Sequence, residues 1–230
     1  MLDGILVRLD SPDAVAAHAA DLVTQACEQA IKDRGRFTLA LAGGSTPKLL
    51  YRLLAMHNPP LDWSRCVLLF GDERCVPHDH PDSNMKMAET TLTGPAGVPH
   101  SSILPVPTHL PPAQAAAAYE ATLRRLLPEQ GPGIDVVLLG MGADGHTLSL
   151  FPGDEAAVAE SNRWCIHTKA PAPFAVPDRV TMTLPLVNAA RLRLFMVTGA
   201  DKSPRLDAIV AGTQTPPAAM VRQATWLVAT

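Results

Sequence analysis

"RFTLALAGGSTPKLLYRLLAM", residues 36–56, contains one complete strand–turn–helix unit. The apolar run at 37–42 is typical of a buried strand, and the two glycines that follow allow the backbone to turn sharply. From residue 45 onward the apolar residues recur at helical spacing, with Pro47 just inside the helix start. A strand that turns directly into a helix predicts an α/β fold, in which parallel strands are covered by helices.

The same alternation of strand and helix extends along the chain in both directions. A short strand at 4–9 precedes a long helix at 11–35, with Ser11 as the predicted N-cap and Gly35 as the stop signal. Apolar runs predict the remaining strands, and apolar residues at helical spacing predict the remaining helices. These strands are at 66–70, 134–140, 163–168, 179–184, 191–199 and 224–230, and the helices at 83–92, 113–129 and 201–212.

The chain has 230 residues, enough to bury a core of its own without disulfide or metal support. It contains no internal repeat and no low-complexity tract. The proline-rich segment at 94–112 is interpreted as a surface connection, not as a domain boundary. We therefore expect a single α/β domain over residues 1–230, with a largely parallel sheet flanked by helices on both faces.

Composition excludes several functional classes. The net charge is −3 with 18% charged residues, so the chain lacks the basic field typical of proteins that bind nucleic acid or membrane surfaces. Its four cysteines are scattered without a C-x-x-C pair, which favours a reducing compartment. The N-terminus does not match a signal peptide, and no apolar run reaches the ~20 residues of a membrane helix. We expect a cytoplasmic protein without nucleic-acid or membrane partners.

Four loops with unusual polar content follow predicted strands at their carboxyl ends. In open α/β sheets, ligands bind beyond the carboxyl ends of the strands. The coincidence of these loops predicts one shared site. They span residues 43–47, 71–77, 140–152 and 199–203.

The first loop, "GGSTP", combines a glycine turn with a helix start. Ser45 or Thr46 is the predicted helix cap, and the free N–H groups of a helix N-terminus suit a phosphate. Gly43 and Gly44 would let a ligand approach the backbone. The spacing matches neither a Walker A loop nor a dinucleotide-binding motif, so on this loop alone a plain capped turn is favoured and a phosphate cradle is the alternative.

The second loop, "GDERCVPHDH", places Asp72, Glu73 and Arg74 directly after a buried strand. A guanidinium is always charged and presents a rigid fork of donors, so Arg74 is a candidate clamp for an anion or an oxyanion. The alternative is a solvated turn with an internal ion pair. His78 and His80 stand beside acidic residues, but the loop is polar and we predict no metal site there.

The third loop, "GMGADGHTLSLFPG", supplies the candidate base. A neutral histidine takes up a proton near pH 7, so His146 can act as a general base. Asp144, two residues earlier, is placed to orient the ring or to stabilise its charged form. The alternative is that His146 only caps the following segment through backbone hydrogen bonds.

The fourth loop, "GADKSP", places Lys202 at the start of a helix. A cation there opposes the helix dipole, which favours a bound anion over a solvated lysine. Arg179 in "DRVTMTL" and Lys169 in "HTKAPAPF" are further basic candidates. Both lie at strand ends, where a solvated surface explains them equally well.

Together these segments resemble the 6-phosphogluconolactonase family. The matching motifs are "LAGGSTP", "GDERCVP…DSN", "GMGADGHTLSLFPG", "RVTMTLPLVNAA" and "VTGADKSPRL", in the family's order, from about residue 37 to 203. The resemblance implies a domain related to the sugar-phosphate isomerases and hydrolysis of 6-phospho-D-glucono-1,5-lactone to 6-phospho-D-gluconate. It also implies that no cofactor is needed and that the partner is a small phosphosugar lactone. We expect a monomer or a weak homo-oligomer.

The resemblance also implies roles for individual residues. His146 is similar to the family's catalytic histidine, Asp144 to its neighbour and Arg74 to the arginine of the D-E-R motif. Two departures are Leu148, where alanine is usual, and Pro204 in the lysine-bearing helix. The other site residues that the resemblance implies correspond to substrate binding: Gly43, Gly44, Ser45, Thr46, Asp72, Arg179 and Lys202.

Two rival functions remain open on the sequence. Amino-sugar-phosphate deaminases or isomerases resemble the chain through the D-E and D-G-H motifs. They carry a tyrosine after D-E and a glutamate five residues after the histidine, where this chain has Arg74 and Phe151. A non-catalytic sugar-phosphate sensor would need only a phosphate site, so the joint presence of Asp144, His146 and Arg74 favours an enzyme.

Overall fold

A computed structural model describes residues 2–128 and 133–230. Its strands are β1 (Gly4–Arg8), β2 (Phe37–Leu41), β3 (Cys66–Phe70), β4 (Asp72–Arg74), β5 (Val136–Leu139), β6 (Cys165–Lys169), β7 (Asp178–Met182), β8 (Leu192–Thr198) and β9 (Ala224–Ala229). Its α-helices are α1 (Pro12–Arg34), α2 (Ser45–Ala55), α3 (Asn84–Ala88), α4 (Pro112–Leu126), α5 (Glu155–Val158), α6 (Leu184–Asn188) and α7 (Ser203–Ala211).

The larger sheet has six strands in the order β1-β9-β8-β5-β2-β3, and every neighbouring pair is parallel. All residues of the central strands β2 and β5 are buried, as expected when helices cover both faces of a sheet. The predicted α/β fold with a parallel sheet flanked by helices is confirmed. None of the helices in the described ranges is long and apolar enough to cross a membrane.

A second sheet of three antiparallel strands, β4-β7-β6, was not expected from the sequence. The segments at 163–168 and 179–184 were predicted to join the parallel sheet, and residues 72–74 to form a charged loop. A parallel connection needs a crossover of a dozen or more residues, and the short link between β6 and β7 allows only an antiparallel pair. Beyond Gly71, the chain stays extended because β4 pairs with β7.

The helix ends follow the predictions with two corrections. The helix predicted at 83–92 is α-helical only to Ala88 and continues as a π-helical turn at Glu89–Thr93. Ser11 caps α1 and Gly35 ends it in the left-handed conformation, as predicted. Helix α2, by contrast, has Gly44 as its N-cap and no side-chain cap, so Ser45 is a helical residue and not the cap. Gly44 has φ 98° and ψ 178°, a conformation that favours glycine over serine or threonine. Position 129, the predicted end of α4, lies outside the described residues.

Two buried tyrosines hold the ends of β2 and β3. The Tyr51 hydroxyl accepts a hydrogen bond from Ala42 N (2.9 Å) and donates one to Ala42 O (2.8 Å). The Tyr119 hydroxyl does the same with the backbone of Phe70, at 2.8 and 3.1 Å. Burial raises the pKa of both phenols. Each tyrosine therefore ties a helix, α2 or α4, to the strand end from which a polar loop begins.

Asp135 connects several segments at the edge of the sheet where the strands begin, opposite the polar loops. Its side chain, only 9% exposed, accepts hydrogen bonds from Thr38 N (2.8 Å) and Thr38 Oγ1 (3.0 Å). It also pairs with Arg34 at 2.7 Å and with Arg191 at 3.4 Å. One carboxylate thus joins the end of α1 to the segments that precede β5 and β8.

We expect Asp135→Ala to lower the free energy of unfolding by about 2 kcal/mol, since it leaves buried donors without an acceptor. Urea or thermal denaturation measures the change. Asp207→Ala is the matched control, because Asp207 pairs with Arg8 at 3.6 Å on an exposed surface, where ion pairs add little. Equal stability losses in the two variants would contradict this account of Asp135.

Candidate functional site

The order of the strands places the candidate site. From β2 the chain moves to β3 on one side, and from β5 it continues through β8 and β9 on the other. The strand order therefore reverses between the neighbours β2 and β5, and ligands bind in the crevice at such a switch point. The four polar loops follow β2, β3, β5 and β8, which are adjacent in the sheet.

A cavity of about 230 Å³ lies at this switch point and is bordered by all four loops and by β7. Of the residues predicted to be catalytic or substrate-binding, all but one line it. Asp144 is the exception: it lies behind His146. The predicted residues that line the cavity are Gly43, Gly44, Ser45, Thr46, Asp72, Arg74, His146, Arg179 and Lys202.

The pair Asp144–His146 has the geometry of an oriented base. Asp144 Oδ1 lies 2.6 Å from His146 Nδ1 and also accepts the His146 backbone N–H at 3.0 Å. A carboxylate accepts hydrogen bonds, so Nδ1 carries the ring proton and the Nε2 lone pair is left to take up another. Nε2 makes no hydrogen bond with any described residue. The His146 side chain is 22% exposed, so it is open to the cavity but largely enclosed.

Gly142 makes this arrangement possible. Its amide donates to His146 O (3.0 Å), and its carbonyl accepts from Gly145 N (2.9 Å), which closes the loop. A Cβ atom at position 142 would overlap the imidazole at Nδ1 and would lie 2.6 Å from Asp144 Oδ1. The acid–base pair therefore packs directly on the glycine backbone, where no other residue fits.

Arg74 and Arg179 form a cationic wall. They are directly opposite each other on β4 and β7, and both line the cavity. Arg74 Nη1 donates to Asp82 O at 2.6 Å, Arg179 Nε donates to Val176 O at 2.8 Å, and the buried Nε of Arg74 has no partner among the described residues. Burial lowers the pKa of Arg179, and the Arg74 charge lowers it further. Two like charges facing each other favour a bound anion between them.

Asp72 shares this wall and is firmly held. Its Oδ2 accepts from Ser149 Oγ at 2.6 Å, and its Oδ1 accepts from Asn84 Nδ2 at 3.3 Å. The same Asn84 amide lies against Gly43, where any Cβ atom would overlap it. Asp72, buried and already hydrogen-bonded on both oxygens, is placed to orient neighbouring groups. Ser149 and Asn84 stand within the quoted motifs "GMGADGHTLSLFPG" and "DSN", but were not predicted as site residues.

The opposite wall contains the start of α2 and Lys202. Ser45 is exposed there, and Thr46 Oγ1 is hydrogen-bonded to Thr198 Oγ1 at 2.8 Å. Lys202 Nζ lies 2.8 Å from Asp201 Oδ2. The adjacent carboxylate compensates the lysine charge, so the helix-dipole argument for an anion at this position loses force. The cavity placement of Lys202 is now the stronger reason to assign it to a ligand.

Three other candidates lie outside the cavity. His78 Nε2 is 2.8 Å from Val106 O, His80 Nδ1 accepts from Asp82 N at 3.1 Å, and Lys169 is exposed at the end of β6. Within residues 2–128 and 133–230, no group of three or more histidine, cysteine or acidic side chains is arranged to hold a metal ion.

Leu148 and Phe174 are among the cavity residues to which the sequence assigned no role in the site. Leu148 lines the cavity with φ 54°, in the left-handed region that bulky residues rarely adopt. Such local strain is common at functional sites. Phe174 also lines the cavity, in the connection between β6 and β7, to which the sequence assigned no role.

We expect Gly142→Ala to lower kcat by about 10²-fold, because displacing a catalytic group by about 1 Å has an effect of that size. The added methyl would push the His146 ring away from Asp144. Gly140→Ala is the matched control, since a Cβ there meets no atom within 4 Å. Circular dichroism should show both variants folded. Equal activity in the two variants would contradict the close packing of the pair on Gly142.

A family model described as glucosamine-6-phosphate isomerases/6-phosphogluconolactonase matches residues 10–229. A 6-phosphogluconolactonase from Nostoc sp. is 42% identical over 207 residues, covering 88% of this chain and 83% of the relative. One from Rattus norvegicus is 36% identical over 228 residues, covering 96% of this chain and 88% of the relative.

Solved structures give the same result. A 6-phosphogluconolactonase from Trypanosoma cruzi superposes with a TM-score of 0.89 at 29% identity, covering 99% of this chain and 95% of the other. One from Thermotoga maritima has a TM-score of 0.87 at 28% identity, covering 99% and 100%. The family predicted from the five sequence motifs is confirmed: the chain belongs to the glucosamine-6-phosphate isomerase/6-phosphogluconolactonase family.

Proposed function

We propose that the protein hydrolyses 6-phospho-D-glucono-1,5-lactone to 6-phospho-D-gluconate, a step of the oxidative pentose phosphate pathway. The observation that carries the proposal is the pairing of His146 with Asp144 in a cavity that also contains Arg74. The site thus contains a base with a fixed tautomer, His146, and a cation that can stabilise a developing negative charge, Arg74. The 6-phosphogluconolactonase relatives support the same reaction.

The mechanism follows from the atoms available. His146 Nε2 removes a proton from water as the water oxygen attacks the lactone carbonyl carbon. Asp144 stabilises the imidazolium that forms, through its hydrogen bond to Nδ1. Arg74 and backbone N–H groups of the glycine loops stabilise the oxyanion. The bond to the ring oxygen then breaks, that oxygen takes the proton from Nε2, and the new carboxylic acid ionises in water.

Substrate binding is assigned to the cationic wall and to the opposite wall, which contains the start of α2 and Lys202. Ser45, Thr46 and Lys202 would hold the phosphate, aided by the free N–H groups at the start of α2. Arg179 would contact the substrate beside Arg74. Asp72 would orient the sugar hydroxyls or the arginines, while Gly43 and Gly44 let the ligand approach the backbone.

The two rival functions fit the cavity less well. A deaminase or isomerase of this superfamily would need an acid five residues after the histidine, and Phe151 packs there against the His146 ring at a centroid distance of 4.8 Å. A sensor would gain nothing from the oriented Asp144–His146 pair. No cofactor enters the proposed reaction, and a cytoplasmic location and a monomeric or weakly oligomeric state remain predictions.

We expect His146→Ala to reduce kcat by about 10²–10⁴-fold at pH 7 while KM stays nearly constant, because the variant removes the base and leaves the binding groups in place. The assay adds protein to fresh 6-phosphogluconolactone and records acid release above the spontaneous rate. Absence of any excess release by the wild-type protein would reject the proposed function. Wild-type turnover in His146→Ala would reject His146 as the base.

We expect Lys202→Ala to raise KM for the phosphorylated lactone with little change in kcat. KM for glucono-1,5-lactone, which has no phosphate, should be the same in the variant and the wild type. Lys48→Ala is the control, since Lys48 is an exposed lysine of α2 that does not line the cavity. An equal rise in KM for both lactones would contradict the assignment of the phosphate to Lys202.

A further inference from the structure

Phe174 is a large apolar side chain at the edge of the cavity that the reaction described above does not use. It lies in the connection between β6 and β7, lines the cavity and is 41% exposed. It does not belong to the buried hydrophobic cluster of the protein. An exposed aromatic ring therefore borders the site at a position where folding gains little from it.

The Phe174 ring contacts both the candidate base and an arginine of the cationic wall. Its centroid lies 5.7 Å from that of His146, in an edge-on arrangement, and 5.4 Å from that of Phe151. The guanidinium carbon of Arg179 lies 5.9 Å from the centroid of the Phe174 ring. These distances suit aromatic pairing and a cation–π contact. Phe174 thus connects the candidate base to the cationic wall.

The backbone around Phe174 is held in place. Ala170 N donates to Pro177 O at 2.8 Å and closes the base of the connection, while Phe174 N donates to Pro171 O at 3.1 Å. Arg179 Nε donates to Val176 O at 2.8 Å, which ties the same segment to the cavity wall. The ring is therefore presented to the cavity in a defined position before any ligand binds, which reduces the cost of ordering it on binding.

We propose that Phe174 is a substrate-positioning and specificity-determining residue. Its exposed part forms an apolar wall for the C–H face of the lactone ring. Its contacts with His146 and Arg179 keep these two side chains aligned with that ring. Ligand sites commonly combine such an aromatic surface with a few placed polar groups. The inference rests on the proposed lactone hydrolysis and adds to it the part of the site that recognises the sugar ring itself.

The test compares Phe174→Ala, Phe174→Leu and Phe174→Tyr with the wild type. Kinetics on 6-phosphogluconolactone give kcat and KM, calorimetric titration gives Kd for 6-phosphogluconate, and thermal denaturation gives Tm. We expect Phe174→Ala to raise KM about 10-fold, the order of a lost apolar contact, and to lower kcat several-fold. Phe174→Tyr should keep KM and kcat near the wild-type values because it keeps the ring, while Phe174→Leu should behave like Phe174→Ala. Tm should change little in all three.

Val210→Ala is the control for removing an exposed apolar side chain, since Val210 is 37% exposed on α7 and lies outside the cavity lining. Wild-type KM and kcat in Phe174→Ala would overturn the inference and leave the proposed function standing. Full rescue by Phe174→Leu, or a loss of activity that follows a fall in Tm, would show a merely structural role and would also overturn it.

A wild-type protein that releases no acid from the lactone would reject the proposed function, and the titration would then decide the inference alone. Weaker binding of 6-phosphogluconate to Phe174→Ala than to the wild type would support the apolar wall. Equal Kd values would reject it.

Discussion

Two tyrosine hydroxyls hold the strand ends on which the site depends. Where the loops leave the parallel sheet, the ladder ends, and the buried N–H and C=O groups of Ala42 and Phe70 would lack partners. Tyr51 and Tyr119 satisfy one donor and one acceptor each. Because Tyr51 belongs to α2, the same contact fixes the helix whose N-terminus borders the cavity. The strand ends and the α2 wall of the cavity are thus positioned by one type of interaction.

The sequence was informative wherever a local rule applied. Apolar runs and helical spacing identify β2, α2 and the other elements of the parallel sheet, and loops at the carboxyl ends of parallel strands must meet at one edge. The convergence of Arg74, His146 and Lys202 on one cavity therefore follows from a pattern that can be read without coordinates. Their chemical roles remain predictions that only the kinetic experiments can test.

Features that depend on contacts between distant segments could not be predicted in this way. The pairing of β4 with β7 depends on residues about a hundred positions apart, and nothing in "GDER" distinguishes a short strand from a loop. The requirement for glycine at position 142 arises from the space taken by the Asp144–His146 pair, not from an unusual backbone angle. Phe174 stands in a proline-rich stretch, and its contact with His146 appears only when the chain is folded.

If Arg74 and Arg179 hold the substrate as proposed, they would also link stability to metabolism. Burial and the neighbouring Arg74 charge lower the pKa of Arg179, Asp72 and Glu73 offset part of this, and an anion bound between the two arginines would offset more. A ligand that binds only the folded state adds about 2.7 kcal/mol to its stability when present at 100 times its Kd. Abundant phosphosugar would then protect the protein from unfolding and proteolysis. When the substrate is scarce, the lifetime of the protein would shorten, so its abundance would follow demand without any separate regulator.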